Sequence, residues 1–153
     1  PFSHRFIPEI EEKTNFGIIA INEFVVEGSV IKNGSEMLID YTIHGSIDYA
    51  CSRCLDNVNE TYQKQVEKLV VRSVPESEDD EDNWYLAEDF LLDLTPVVTE
   101  EIVMDLPYQT LCKVDCKGLC PECGKNLNHE TCTCSDEKID PRLEILKNFF
   151  TQE

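Results

Sequence analysis

Eight cysteines are the residues of this sequence with the clearest chemistry. They form four pairs that are close along the chain: Cys51 and Cys54, Cys112 and Cys116, Cys120 and Cys123, Cys132 and Cys134. Four thiolates around Zn²⁺ leave no open coordination position, so a four-cysteine site is structural. Four pairs supply two such sites, and we predict that all eight cysteines are metal ligands for two zinc ions. The pattern favours a non-enzymatic binding protein stabilised by metal.

The stretch Cys120-Pro-Glu-Cys123-Gly124 is the most specific of these signals. Two cysteines separated by two residues can face one metal, while N–H groups of the turn donate to their sulfurs. Gly124 suits the positive φ that such a turn often needs. Cys132 and Cys134 follow after a short loop, so the simplest partition joins these two pairs in one site. The other two pairs would then form the second site.

Spacing alone leaves other arrangements open. Four pairs can be combined into two sites in three ways, and a single metal with spectator thiols is a further possibility. His129 lies inside the second ligand loop and could replace a cysteine. The even number of cysteines also keeps disulfides open, although paired cysteines in the cytosol more often bind metal or carry out redox chemistry.

Thiol redox chemistry is a further alternative, centred on Cys51-Ser-Arg-Cys54. Arg53 would lower the pKa of a neighbouring thiol. However, a redox dithiol normally begins a helix after a strand in a βαβ unit. Antiparallel strands are predicted on both sides of this pair, so we rank the redox hypothesis below metal binding. A hydrolytic zinc site needs an open coordination position, and no motif of that kind is present.

Charge disfavours direct binding of duplex nucleic acid. The formal net charge is −18; residues 1–111 hold 7 lysines and arginines against 23 aspartates and glutamates, and residues 112–148 hold 6 against 7. Such a field repels phosphate and attracts a basic partner. We therefore expect a basic protein as partner, with indirect or weak RNA contact through the balanced C-terminal third. Solubility is the simpler explanation of the charge.

No run of 18 or more apolar residues and no positively charged apolar leader are present. We therefore expect neither a transmembrane span nor a signal peptide, no membrane partner and a cytoplasmic location. No small-molecule substrate is expected.

Three stretches rich in β-branched and aromatic residues are predicted to be strands: residues 16–31, 37–49 and 60–74. The first contains two strand patterns, and Asn33-Gly34 is typical of a hairpin turn. The second runs directly into Cys51. The sequence thus predicts an antiparallel meander that places Cys51 and Cys54 at one hairpin tip.

An acidic loop and two helices complete the prediction. Residues 75–83 are mostly acidic and should form an exposed loop, which a basic protein surface could use for docking. Thr95-Pro96 is typical of a helix start, and a helix that packs on the sheet should follow. Asp140-Pro141 should begin a second helix.

The predicted fold class is α+β: an antiparallel β-meander with one or two short helices, plus a C-terminal cysteine-rich zinc knuckle. We expect residues 1–111 to form the sheet with its helix. Residues 112–153 should hold the zinc-binding segment and the C-terminal helix, as one structural unit with the first part.

The cysteine motifs also resemble a known family. Residues 116–128 read Cys-Lys-Gly-Leu-Cys-Pro-Glu-Cys-Gly-Lys-Asn-Leu-Asn and are followed by Cys132-Thr-Cys134 and Ile139-Asp-Pro-Arg-Leu143. This order resembles the signature of the YceD family, the "large ribosomal RNA subunit accumulation" proteins. The turn from Cys51 to Leu55 and the acidic loop before a helix resemble it as well. The resemblance covers roughly residues 16–150.

The resemblance implies a bacterial or organellar factor needed for large-subunit ribosomal RNA to accumulate, in 50S assembly, without known enzymatic activity. It also implies that zinc supports the fold rather than defines the function, because some members lack the cysteines. Our hypothesis is a zinc-stabilised factor in 50S biogenesis and 23S RNA accumulation that binds a basic ribosomal or assembly protein. The alternatives are a zinc-ribbon nucleic-acid-binding protein and the thiol redox protein.

Overall fold

The computed structural model describes residues 1–11, 13–34, 36–71, 84–87 and 91–134. This part of the chain contains a 3₁₀-helix at Lys13–Phe16, six strands and one α-helix: β1 Phe2–Phe6, β2 Ile18–Ile21, β3 Phe24–Asn33, β4 Glu36–Ala50, β5 Asn57–Val71, β6 Trp84–Leu86 and α1 Leu94–Met104. The α+β class with a β-meander is confirmed. The predicted acidic loop and the predicted helix after Asp140 lie outside the described residues.

The chain divides into two compact units, Pro1–Cys116 and Lys117–Glu153. The first unit holds the six described strands and α1. The described residues of the second unit contain an antiparallel bridge between Leu119 and Asn126. That the two parts of the chain form one structural unit stays a prediction.

The six strands form one sheet in the order β1-β3-β4-β5-β6, and β2 also pairs with β4. The long β4 makes this arrangement possible, because its first part pairs with β3 and its last residues pair with β2. The antiparallel pairs β3–β4 and β4–β5 confirm the predicted meander. Strand β1 was not predicted, and β6 runs parallel to β5 rather than antiparallel.

Side-chain alternation gives the sheet one buried face. Alternate residues of β4 are almost fully buried: Ile39, Tyr41, Ile43, Ile47 and Tyr49. They pack in one core with Val98 and Ile102 of α1, which lie four residues apart and therefore on the same face of the helix. Successive residues of a strand point to opposite faces, so the other face carries Asp40, Thr42 and His44.

Glycine is required where Phe24 crosses β4. A Cβ added at Gly45 would overlap the Phe24 ring, and that ring is fully buried. The aromatic side chain therefore fills the space above a residue that has none, which pins the register of the strands.

Helix α1 begins two residues earlier than predicted. Asp93, rather than Thr95, is the N-cap, and its carboxylate accepts a 2.9 Å hydrogen bond from the Thr95 backbone N–H. A carboxylate at this position satisfies a free N–H and also interacts favourably with the helix dipole. Pro96 then lies within the first turn, where its missing N–H costs no helical hydrogen bond.

A network of charges and hydroxyls joins α1 to β5. Lys64 lies 2.7 Å from a Glu101 carboxylate oxygen and 3.0 Å from an Asp105 carboxylate oxygen. The Tyr85 hydroxyl donates to Glu101 at 2.9 Å and the Tyr62 hydroxyl donates to Asp105 at 2.8 Å. Glu101 is half-buried and lies at the centre of this network.

Candidate metal centres

The first cysteine set forms where two distant segments of the chain meet. Cys51 directly follows β4, and Cys54 lies in the turn before β5, as the strand pattern predicts. Cys112 and Cys116 come from the loop after α1. The four Sγ atoms lie within 4.8 Å of one another. The structure therefore brings together the two pairs that the simplest partition joined.

Sulfur distances in this set suit a tetrahedral ion. The Sγ atoms of Cys51 and Cys116 are 3.8 Å apart, and those of Cys54 and Cys112 are 3.5 Å apart. With Zn–S bonds of about 2.3 Å, the edge of a tetrahedron is about 3.8 Å. A disulfide requires about 2.05 Å, and all eight cysteines are free thiols.

Hydrogen bonds also hold the two segments of this set together. The Ser52 N–H donates to the Thr110 carbonyl at 2.8 Å, and the Thr110 N–H donates to the Ser52 hydroxyl at 3.3 Å. The Arg53 guanidinium donates to the Cys116 carbonyl at 3.1 Å. The hairpin tip and the loop after α1 are therefore aligned by protein contacts, so that metal ligands would be pre-positioned. Arg53 has a structural contact here that its sequence context did not reveal.

The second cysteine set lies entirely in the second unit. Cys120, Cys123, Cys132 and Cys134 have Sγ atoms within 4.8 Å of one another. The Cys132 sulfur lies 3.5 Å from that of Cys123 and 3.4 Å from that of Cys120. The Leu127 N–H donates to the Gly118 carbonyl at 2.9 Å, which closes the backbone around the turn that carries Cys120 and Cys123.

Both four-cysteine sets begin with the same turn. The Cys51 N–H donates to the Asp56 carbonyl and the Cys120 N–H donates to the Lys125 carbonyl, each at 2.8 Å. The first cysteine of each turn then accepts a 2.9 Å hydrogen bond at its carbonyl, from Leu55 and Gly124 respectively. The sequence predicts a turn at both places, but it indicates the positive φ only at Gly124, because Leu55 occupies the position where glycine is usual.

Backbone N–H groups favour the thiolate form of one cysteine in each set. Burial raises the pKa of Cys51, but N–H groups of Cys112, Arg53 and Cys54 outweigh it and lower that pKa to about 6. N–H groups of Cys123 and Glu122 lower the pKa of Cys120 to about 7. Since the thiolate is the ligand form, each set has one cysteine prepared for a cation.

Neighbouring thiols have the opposite effect on other cysteines. Burial and hydrogen bonds with Cys51 and Cys112 raise the pKa of Cys54. Hydrogen bonds with Cys132 and Cys123 raise the pKa of Cys134 to about 12. Four thiolates at these distances repel one another, and a divalent cation removes that repulsion.

The two sets differ in exposure. In the first set Cys51, Cys54 and Cys116 are buried, and Cys112 is half-buried. In the second set Cys123 and Cys134 are exposed. The first set is therefore protected by the fold, whereas solvent reaches two ligands of the second.

Soft thiolate ligands in a closed tetrahedral set fit Zn²⁺ and exclude hard cations such as Mg²⁺ and Ca²⁺. His129 belongs to neither set within the described residues.

The prediction of one C-terminal zinc knuckle is too narrow, because one set includes the β4–β5 hairpin tip. The redox hypothesis stays a prediction; Cys51 lies in a turn between antiparallel strands, not at a helix N-terminus.

Among the residues that the structure describes, no helix is long and apolar enough to cross a membrane.

Comparison with known proteins identifies relatives over most of the chain. Residues 39–150, which include all eight cysteines, match the family model "Large ribosomal RNA subunit accumulation protein YceD". "Uncharacterized protein YlbN" of Bacillus subtilis is 29% identical over 142 residues, 92% of this chain and 82% of that protein. "Uncharacterized protein Rv2926c" of Mycobacterium tuberculosis is 31% identical over 108 residues, 69% of this chain and 52% of that protein.

A plant protein carries the same description as the family. "Large ribosomal RNA subunit accumulation protein YCED homolog 1, chloroplastic" of Arabidopsis thaliana is 26% identical over 155 residues, 83% of this chain and 48% of that protein. The chain thus spans about half the length of its mycobacterial and Arabidopsis relatives. No solved structure matches the chain.

Proposed function

Because the chain belongs to the YceD family of large ribosomal RNA subunit accumulation proteins, we propose that it is a non-enzymatic factor in large-subunit biogenesis. It acts in the bacterial cytoplasm and is needed for 23S ribosomal RNA to accumulate in 50S subunits. The observation that carries this proposal is the family match over residues 39–150. The description of the family names an RNA outcome and no chemical reaction.

Two structural zinc ions belong to this proposal. Each four-cysteine set has the ligand type and the sulfur spacing of a closed zinc site. In the first unit the metal would join Cys51 and Cys54 to Cys112 and Cys116, and so fasten the sheet hairpin to the loop after α1. Zinc would therefore preserve the shape of the protein and take no part in a reaction.

A basic ribosomal or assembly protein is the partner that the charge supports. Residues 1–111 carry a net charge of −16 from 7 basic and 23 acidic residues. A protein with this field is attracted to basic proteins, and it repels the phosphates of free RNA. Binding a basic protein before it joins the RNA would protect that protein from non-specific aggregation with nucleic acid.

Depletion of the protein in its native cells tests the proposed function. The ratio of large-subunit to small-subunit ribosomal RNA should fall, and free small subunits should accumulate in a sucrose gradient. Re-expression of the wild-type chain should restore the ratio, while the quadruple variant with Cys51, Cys54, Cys112 and Cys116 replaced by Ser should not. An unchanged RNA ratio after complete depletion would overturn the proposal.

A zinc-ribbon nucleic-acid binder is the second candidate, and one observation favours it. Lys117 and Lys125 are exposed beside the second cysteine set, in the part of the chain with balanced charge. Titration of the zinc-loaded protein with 23S RNA fragments at increasing salt separates the candidates. A nucleic-acid binder loses affinity steeply as salt rises, whereas the proposed factor has no measurable affinity for isolated RNA at any salt.

A further inference from the structure

One face of the sheet carries no helix among the described residues. Alternation along β3, β4 and β5 places Phe24, Ile43 and Val66 on the core face. The residues between them point to the opposite face, which we call the open face. Most of it is polar, with His44, Gln63 and Thr61 exposed to solvent.

An apolar row crosses the open face over four adjacent strands. Ile31 of β3 pairs with Leu38 of β4, and Leu38 pairs with Leu69 of β5. Leu69 in turn pairs with Trp84 of β6. Ile31 is 53% exposed and Leu69 is 42% exposed, and the other two are half-buried. Scattered apolar residues on a surface are ordinary, but four in consecutive register form a contiguous patch.

Carboxylates form the next row on the same face. Asp40 pairs with Glu67. Asp40 follows Leu38 by two residues on β4, and Glu67 precedes Leu69 by two residues on the antiparallel β5. Glu27 lies one row beyond. Within the described residues none of these three carboxylates forms an ion pair; Asp40 accepts a 3.3 Å hydrogen bond from Gln65, and Glu27 accepts a 3.2 Å hydrogen bond from the Ser3 hydroxyl. In the part of the chain that the structure describes, no basic side chain neutralises these charges.

We propose that Ile31, Leu38, Leu69 and Trp84, with Asp40 and Glu67 beside them, form the docking surface for an apolar, lysine- or arginine-bearing segment of a basic protein. Strands lie about 4.8 Å apart, so the apolar row is about 14 Å long, and the carboxylates lie about 7 Å to one side. The segment must place its apolar side chains along that length and its cations on that side. This inference rests on the proposed function, since it gives the basic partner a site.

The apolar core and charged rim match the anatomy of protein interfaces. A few residues at the centre of an interface supply most of its affinity, with Trp prominent among them, and the contacts around them exclude water. Adjacent carboxylates select a basic partner and speed its encounter. RNA would meet the same carboxylates with repulsion, so the open face discriminates against it.

Site-specific photo-crosslinking in native cells tests the surface with the full-length chain. A benzoylphenylalanine replaces Leu69 in one strain, and Ile19, which is 55% exposed on β2 and away from the row, in the control strain. Position 69 should give an adduct with a basic protein, and mass spectrometry should place the bond in a segment with apolar and Lys or Arg residues. Position 19 should not give this adduct.

Three outcomes overturn the docking surface. They are a bond from position 69 to residues 135–153 of the same chain, a bond to a second copy, and a bond to RNA. An adduct with a basic protein unrelated to ribosomes would keep the surface but contradict the proposed function. The absence of a basic adduct, together with a fall in 23S RNA on depletion, would contradict the docking surface and support the proposed function.

Affinity for the cross-linked protein provides the second measurement. The purified zinc-loaded double variant Ile31→Thr/Leu69→Thr should bind it at least about tenfold more weakly, because apolar area is lost from the centre of the contact. Ile19→Thr makes one of these changes, isoleucine to threonine, away from the row and should alter affinity less than about twofold. Asp40→Asn/Glu67→Gln should reduce the association rate and its dependence on salt. Equal affinities for all variants would refute the surface.

Discussion

Leu55 and Gly124 occupy the same position in the two cysteine turns. Each is the residue after the second cysteine, and each donates its N–H to the carbonyl of the first cysteine at 2.9 Å. Both have positive φ, 64° at Leu55 and 72° at Gly124. Glycine adopts this conformation freely, whereas a leucine pays about 1–2 kcal/mol. The hairpin tip therefore holds a strained residue where the second turn holds a relaxed one.

Substitution Gly124→Ala should weaken metal binding at the second set. A Cβ at Gly124 meets nothing within 4 Å, so its cost comes from backbone conformation alone, about 1 kcal/mol. Zinc affinity of that set, measured by chelator competition, should fall about fivefold to tenfold. Gly34→Ala is the matched control, since Gly34 has φ 64° and equally open space but lies in the β3–β4 turn. If both variants bind zinc like the wild type, the turn does not control the site.

Native mass spectrometry should find two zinc ions per chain. Cys51→Ser/Cys54→Ser and Cys123→Ser/Cys134→Ser should each retain one, because the two sets share no ligand. On addition of a chelator to the wild-type chain, the second set should release its zinc first, since Cys123 and Cys134 are exposed. One zinc in the wild type, or loss of both ions from either double variant, would contradict the two-site assignment.

The Glu101 network should give stability a specific pH dependence. Burial alone raises the pKa of Glu101, but hydrogen bonds from Lys64 and Tyr85 outweigh it, so the folded-state pKa is lowered. A depressed pKa contributes stability above the unfolded-state value, about 4.3, and that contribution is lost as pH falls through the folded-state value. Glu101→Gln should therefore cost about 1–3 kcal/mol at pH 7 and progressively less below pH 4.

Urea unfolding of both proteins across this pH range measures the difference. Glu100→Gln is the control, because Glu100 is exposed and adjacent in sequence, and its effect should stay small at every pH. A loss for Glu101→Gln that is the same at pH 7 and at the acid end would show that the network acts through packing and not through charge.

Replacing Thr110 by valine should preserve or raise stability. The Thr110 side chain is 7% exposed, and its hydroxyl has no hydrogen-bond partner among the described protein atoms. Valine has nearly the same shape and removes the cost of a buried unpaired hydroxyl, about 1 kcal/mol or more. Thr110→Ser retains the hydroxyl and should be less stable than Thr110→Val. A clear loss in the valine variant would instead show that a water molecule or ligand binds this hydroxyl.

Local residue spacing was sufficient to predict the elements around the cysteines. The alternation of residues 37–49 predicted the strand that leads into Cys51, and the Cys120–Gly124 stretch predicted a turn with positive φ. Such features depend on neighbours within a few residues, where φ, side-chain alternation and turn chemistry act directly. The missed N-cap at Asp93 is a local error, because Asp93 and Thr95 both have side chains that cap helices.

Longer-range relationships were decided only by the tertiary structure. Cys51 and Cys112 are far apart in the chain, and the sequence leaves three partitions of the pairs open. In the structure, the hydrogen bonds between Ser52 and Thr110 align the segments that carry Cys51 and Cys112. The parallel pairing of β6 and the apolar row from Ile31 to Trp84 depend on strand register across the whole sheet. The residue types and local turns of this protein thus follow from its sequence, because they are properties of short segments. Which cysteines meet, and which apolar side chains line up on the open face, depends on how those segments pair in space.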